Sequence, residues 1–174
     1  MTVPAAASAP EDIRFCSRCG SKMETRLVGG RPRRACTKCD FVHFTDPKVG
    51  VGVLVMQEGK LLLVQRIMSP EIGKWSIPAG FLDYGEDPRE TAVREVLEET
   101  NLTVEITGLV DVYYNRDAVT QGGASIFILY SAKLLGGRLQ AGDDAKAAKF
   151  FGPDELPELA FTSTLDVVRT IWPR

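Results

Sequence analysis

The hydrophobic pattern changes character near residue 48. Residues 13 to 44 carry little apolar content and cannot build a core without help. From Val49 onward dense apolar runs alternate with short polar breaks. Val49 to Met56 predicts a buried strand, Glu58-Gly59 a turn, and Lys60 to Arg66 its hairpin partner. Ser69 to Lys74 reads as a loop and Trp75 to Pro78 as a short extended piece. A helix is predicted from Asp87 to Thr100: Asp87 can cap it, Pro88 suits the first helical position, and Glu90 completes a D-x-x-E box. Thr103 to Tyr114 and Ala124 to Leu134 predict strands separated by a loop around Gln121-Gly122-Gly123. Ala147 to Phe151 predicts a short strand, and Ser163 to Trp172 a closing helix with Ser163 and Asp166 at its start. Hairpin strands with two helices imply an α+β fold, its helices packed on a mixed sheet.

Length and composition set the scale. A chain of 174 residues allows one full-sized domain plus a small module. With 44% hydrophobic and 25% charged residues it has the make-up of an ordinary soluble protein. The net charge of −2 gives no global pointer to nucleic acid or membrane. Locally, Arg14 to Cys39 is basic and Asp83 to Glu99 acidic. Residues 1–12, Ala/Pro-rich and without a basic or apolar leader pattern, read as a disordered tail. Thr45-Asp46-Pro47-Lys48 reads as a stiff connector, since Pro47 biases Asp46 toward an extended conformation. The expected layout is therefore a tail, a small module at 13–44 and a catalytic domain at 45–174.

All four cysteines lie in that module, as Cys16-x-x-Cys19 and Cys36-x-x-Cys39. This is the spacing of a zinc ribbon, in which two knuckles place four thiolates around Zn²⁺ and leave no open position. Gly20 suits the first knuckle turn, and His43 falls outside the tetrad as a strand-end residue. Grouped cysteines argue for a reducing, cytoplasmic setting over a secreted disulfide framework. No apolar run is long enough to span a membrane. A basic ribbon can bind nucleic acid, although few aromatics interleave its charges here.

The predicted helix has an unusual face. Glu95 and Glu99 lie four apart and stack, Glu98 borders them, and Ala92, Val93, Val96 and Leu97 form the anchoring side. Crowded carboxylates repel one another, and Mg²⁺ resolves the repulsion through oxygen ligands while keeping positions open for phosphates. The alternative is a solvated acidic face. Gly80 and Gly85 ahead of the helix allow backbone to approach a ligand, and Glu86 adds a carboxylate at its start.

Gly80, Glu86, Arg94, Glu95, Val96, Glu98, Glu99 and Leu102 fall in the register G-x5-E-x7-R-E-U-x-E-E-x-G-U, with U aliphatic. The segment thereby resembles the Nudix hydrolase family, departing only at Asn101, where the family has glycine. Asparagine is the best substitute at a left-handed helix end. The resemblance implies a Nudix-type mixed sheet sandwiched by helices. It implies Mg²⁺ (or Mn²⁺) held by Glu95, Glu98 and Glu99 with help from Glu86 and Gly80, and Arg94 orienting Glu98 or Glu86. Glu98 or Glu99 would take the proton from the attacking water, or an acid of a later loop. Asp144 of the Asp143-Asp144 pair is the better match for that position, a polar turn beside Gly142 being the plain alternative.

A ribbon ahead of a Nudix box occurs in NADH pyrophosphatases, but their S-Q-P-W-P-F-P signature has no counterpart in residues 103 to 125. Asp46-Pro47-Lys48, Asp154-Glu155-Leu156-Pro157 and Ala160-Phe161-Thr162-Ser163 are instead similar to the FAD and ADP-ribose pyrophosphatases. That resemblance implies AMP as one product and a homodimer. Trp75, Tyr84, Tyr113, Tyr114 and Phe161 are candidates for stacking on the substrate, and Arg66 for a phosphate. Two further readings stand beside this one, a nucleotide sensor without turnover and a hydrolase of nucleotide-capped RNA.

Overall fold

The computed structural model describes residues 11–115 and 125–173. Most of the expected tail, and the expected loop around Gln121-Gly122-Gly123, lie outside the described residues. The chain separates into two units between Asp46 and Pro47. In the first, β1 (Met23–Val28) and β2 (Arg31–Cys36) form a hairpin, and β3 (Val42–His43) extends it along β2. The hairpin turns on Gly29 and Gly30, with φ of 57° and 73°, angles that glycine adopts without strain. Its core is Cys16, Met23 and Cys36, edged by Ile13, Cys39 and Phe41. These strands carry no alternating apolar pattern, and none of them is predicted from the sequence.

In the second unit, β4 (Lys48–Gln57) and β5 (Lys60–Arg66) start as the expected hairpin but pair only next to the turn, at Met56–Leu61 and Gln57–Lys60. Beyond that the two strands splay. Into the split goes the segment holding β6 (Trp75–Ser76) on β5 and β7 (Ala79–Phe81) on β4. The Val53 N–H donates to Pro78 O at 3.0 Å, which secures the insertion between the two short strands. Then come α1 (Pro88–Thr100), β8 (Leu102–Asn115), β9 (Ser125–Gly137), β10 (Ala145–Phe151) and α2 (Thr162–Ile171). The sheet order is β10-β5-β4-β9-β8, with β4 and β9 parallel and the other pairs antiparallel, so the expected mixed sheet is present.

Alternation along β5 shows how the sheet serves both helices. Leu62 joins Val51, Val53, Val55, Ala92 and Val96 beneath α1, while Leu61 and Leu63 join Ile77, Leu129, Phe151 and Val167 beneath α2. Helix α1 starts at Asp87, whose Oδ1 accepts from Arg89 N–H at 2.8 Å. The reciprocal Glu90 half of the expected box is not formed among the described residues. Leu97 lies outside the buried stripe at 49% exposure, and Glu95 and Glu99 are buried with Ala92 and Val96. Helix α2 begins one residue earlier than expected, behind Phe161 and without a side-chain cap.

Asn101 ends α1 at φ 55°, and its Nδ2 donates to Arg138 O at 3.0 Å. Asn101→Ala is expected to lower unfolding stability by about 1–2 kcal/mol, through left-handed strain and the lost bond. Urea denaturation measures it, and an unchanged midpoint would refute this account of the helix end.

Candidate active site

Insertion of β7 brings Gly80 against α1. A Cβ at Gly80 would overlap the Glu95 carboxylate, so glycine here leaves that carboxylate the place it takes against β7. One residue earlier, the Ala79 N–H donates to Glu99 Oε2 at 3.0 Å. Burial pushes Glu99 up to about 8, and Glu95 is also raised by burial, against the pull of Arg94. These carboxylates are not a solvated face.

Arg94 ties the rest together. Its Nε and Nη2 donate to the two oxygens of Glu86, each at 3.1 Å, and its Nη1 donates to Glu95 and Glu98, each at 2.9 Å. Glu86 also accepts from Asp83 N–H at 3.0 Å and Thr91 Oγ1 at 2.9 Å. Bonding from Arg94, then from Asp83 and Thr91, holds Glu86 down to about 2. Glu98 is more open than Glu95 and Glu99, with 43% of its side chain exposed.

The C-terminal end of α1 fixes the later acidic pair. Gly142 N–H donates to Glu99 O at 3.1 Å, and a Cβ at Gly142 would stand 2.6 Å from Glu98 O. That close approach sets the following residues beside the acids, where the charge of Asp143 acts on Glu95 and that of Asp144 on Glu99 and Arg66. The chain thus gathers oxygen donors from α1, β7 and this loop. Their hard-ligand character and the desolvation of Glu99 suit a divalent cation such as Mg²⁺. Arg94 keeps Glu95 and Glu98 engaged with itself, and among the described residues only the cysteines bring three or more ligand atoms within 4.8 Å of one another.

Beside the acids lies a cleft of about 170 Å³, lined by Gly80, Phe81, Phe127, Phe161, Thr164 and Arg66 among others. Arg66 stacks on Phe161, 4.8 Å from guanidinium to ring centroid, and its Nε donates to Pro70 O at 3.1 Å. Of the five expected stacking residues Phe161 lines the cleft and the other four do not, Tyr113 lying against the α2 cluster and Tyr114 being exposed. Trp75 packs edge-on against Phe151 at 4.8 Å in the α2 cluster, because β6 turns it toward Leu159. Tyr84 is fully exposed on the loop before α1. Phe127 and Thr164 line the cleft without having been singled out, and Ser163, expected only as a helix start and a motif residue, lines it too. A signal for Phe127 did exist: Gly50 and Gly52 alternate with Val51 and Val53, leaving one sheet face bare, and a Cβ at Gly52 would overlap the Phe127 ring.

In the first unit, Cys16 Sγ lies 3.7 Å from Cys39 Sγ and Cys19 Sγ 3.5 Å from Cys36 Sγ. Sulfurs about 2.3 Å from a tetrahedral Zn²⁺ stand about 3.8 Å apart, so the four thiols fit that ion. Backbone N–H groups of Lys38 and Cys39 donate to Cys36 Sγ at 3.3 and 3.4 Å, lowering its pKa as a ligand requires.

A family model for the NUDIX domain matches residues 46–169, and a zinc-ribbon model described as Nudix N-terminal matches residues 14–45. The chain belongs to the Nudix hydrolase family. This Nudix hydrolase is 39% identical over 118 residues to an ADP-ribose pyrophosphatase of Methanocaldococcus jannaschii, covering 68% of the chain and 69% of the relative. A NUDIX hydrolase structure from Nitrosomonas europaea matches with a TM-score of 0.80 and 36% identity, over 91% of this chain and 90% of that one. A NAD-capped RNA hydrolase NudC of Vibrio atlanticus is 26% identical over 89% of the chain, which spans only 55% of that relative's length. Among the described residues no helix of this Nudix hydrolase is long and apolar enough to cross a membrane.

Two outcomes are expected. Folded Glu99, near 8, binds a proton that unfolded glutamate releases near 4.3, so metal-free stability falls as pH rises between those values. Glu86 contributes the opposite slope only on acidification toward about 2, below that window. The melting temperature without metal should therefore drop from pH 5 to pH 8, flatten in Glu99→Gln, and recover most with Mg²⁺ at pH 8. A pH-independent melt in the parent protein would contradict the burial argument. Stripping metal with a strong chelator should make β1 and β2 amides exchange freely while α1 stays protected. Retained protection in β1 and β2 would exclude a structural metal there.

Proposed function

We propose that the chain is a Mg²⁺-dependent (or Mn²⁺-dependent) pyrophosphatase of a nucleoside diphosphate joined to a second moiety, FAD or ADP-ribose. It releases AMP with FMN or ribose 5-phosphate. Residues 45–174 form the catalytic domain and residues 13–44 a structural Zn²⁺ ribbon. The reading is carried by the desolvated Glu99 and Glu95 against Gly80, next to a cleft with Arg66 at its wall. The name of the archaeal relative supports ADP-ribose, and the motifs at residues 46–48 and 154–163 support the wider FAD/ADP-ribose group.

Glu95, Glu98, Glu99, Glu86 and the Gly80 carbonyl would hold the cation, which when bound neutralises the diphosphate and acidifies a coordinated water. Arg94 is a positioning residue: its forked bonds to Glu86 and single bonds to Glu95 and Glu98 fix the orientation of three acids at once. Arg66, stacked on Phe161, faces the substrate phosphate. Proton acceptance falls to Glu98, which is more exposed than Glu95 and Glu99, or to Asp144, whose loop is pinned to the end of α1. A homodimer is expected too, since the edge strand β8 exposes Leu109, Val112 and Tyr114.

The test is a product assay with Mg²⁺ against FAD, ADP-ribose, NADH and a nucleoside triphosphate, products identified by mass. Loss of the proton acceptor is expected to lower kcat about 10²- to 10⁴-fold, so Glu98→Gln and Asp144→Asn identify it. The reading is abandoned if none of the four compounds is cut although Mg²⁺ binds.

A second reading, hydrolysis of nucleotide-capped RNA, is favoured by the NudC match, which extends over the ribbon as well as the box. RNA binding that weakens steeply with salt, together with cap release, would favour it.

A further inference from the structure

The turn end of the ribbon hairpin gathers positive charge on one face. In the β1–β2 register Arg26 stands opposite Arg33, and Val28 opposite Arg31 at the next rung of the same side. Opposite residues of an antiparallel pair share a face, so Arg26, Arg31 and Arg33 rise together, and like charges directly across a strand pair destabilise it. The hairpin answers this charge poorly. Glu24, the only acid between Arg14 and Cys39, accepts from Arg26 Nε at 2.5 Å. Arg33 Nη1 donates to Val28 O, and Arg31 makes no ion pair among the described residues. Arg34, on the opposite face, shows the contrast: its guanidinium donates to Ile13 O, Met23 O and Thr25 Oγ1 and so serves the fold itself.

A second observation lies beside these arginines. Strand β3 runs along β2 and delivers Phe44 to Arg33, whose guanidinium lies over the ring, 4.6 Å from its centroid, yet 53% of Phe44 remains exposed. The basic segment itself holds few aromatics, and strand pairing supplies this one. An exposed ring stacked with a guanidinium is a platform for a flat partner. Arg31 and Arg33 stand about 6.7 Å apart along β2, close to the step between neighbouring phosphates of a nucleic-acid strand. A lipid surface matches less well, because the exposed Leu27, the side chain that would enter a membrane, lies on the other face of the hairpin. Acidic side chains of a protein would satisfy the arginines and leave the ring uncovered.

We propose that this face of the ribbon docks a single strand of nucleic acid, its phosphates on Arg26, Arg31 and Arg33 and a base stacked on the Arg33–Phe44 pair. Only an unpaired base leaves its own stack to lie on a protein ring, so a duplex is the weaker ligand. This surface belongs to the first unit alone, and its ligand is independent of which pyrophosphate the second unit cuts.

Docking is tested by binding, separately from turnover. The full zinc-loaded chain is titrated into a short fluorescent oligouridine, following anisotropy over a range of salt concentrations. Three phosphate contacts predict a log–log salt slope of about −2. Arg31→Gln, which removes an exposed side chain without an ion pair, should weaken binding and reduce that slope by about 0.7. Phe44→Leu should weaken binding about tenfold and leave the slope unchanged, a division that a purely structural loss would not produce. If Phe44→Leu melts lower than the parent, the Arg31→Gln comparison decides alone. A duplex of equal length should bind more weakly, and turnover in the second unit should be the same in parent and variants. The proposal is overturned if oligouridine does not bind, if Arg31→Gln changes neither affinity nor slope, if the duplex binds more tightly, or if phosphatidylserine vesicles bind in place of the oligonucleotide. FAD or ADP-ribose hydrolysis alongside any of those results leaves the pyrophosphatase reading intact, and oligouridine binding with no pyrophosphate cut does the reverse.

Discussion

Two carboxylates packed where a helix ordinarily packs methyl groups set the terms for the rest of this domain. Glu95 and Glu99 share the buried stripe of α1 with Ala92 and Val96. Taking a carboxylate out of water is unfavourable unless a charge or hydrogen bond replaces the solvent. Glu95 has Arg94, and Glu99 has the Ala79 N–H with the more distant charge of Arg66. That is too little for two full charges, and the raised pKa of each expresses the shortfall. The shortfall is what gives the helix an appetite for a cation.

The sheet is built around the same constraint. A continuous β4–β5 hairpin would leave no room for Ala79 and Gly80 beside the helix. By parting after two residue pairs, the strands admit β6 and β7, and the second of these carries the backbone that meets Glu99 and Glu95. Gly142 performs a similar service at the other end of α1, where close backbone contact holds the Asp143–Asp144 turn beside the acids. The Gly142 approach depends on glycine for want of space against the helix backbone, while the left-handed end of the helix is taken by asparagine.

How much of this could be read in advance follows from the range of the interactions. The limits of α1 were legible to within a residue because Asp87, Pro88 and Asn101 act locally. The register of the acidic residues was legible because helical spacing is fixed. Burial of Glu95 and Glu99 was not, since it depends on a strand fifteen or more residues away in sequence (Gly80 to Glu95). Trp75 was misjudged for the same reason: nearness to the box in sequence suggested the cleft, but β6 turns the indole toward Phe151. Leu97 looked like an anchor by type and proved exposed. The alternation of Gly50 and Gly52 marks a bare strip of sheet, but naming Phe127 as the ring over it needed the long-range parallel pairing of β9 with β4.

The alternation along β5 has a consequence for how the domain can vary. Leu62 supports the acid-bearing helix, while its neighbours Leu61 and Leu63 support the helix that opens onto the cleft. Because successive side chains face opposite ways, a slip of one position in this strand would exchange the two sets and undermine both helices together. Arg66 at its end would be displaced in the same event. Catalytic and recognition surfaces are thus bound to a single register: the chemistry and the choice of substrate can be retuned by exchanging side chains on either face, but not by lengthening or shortening the strand between them.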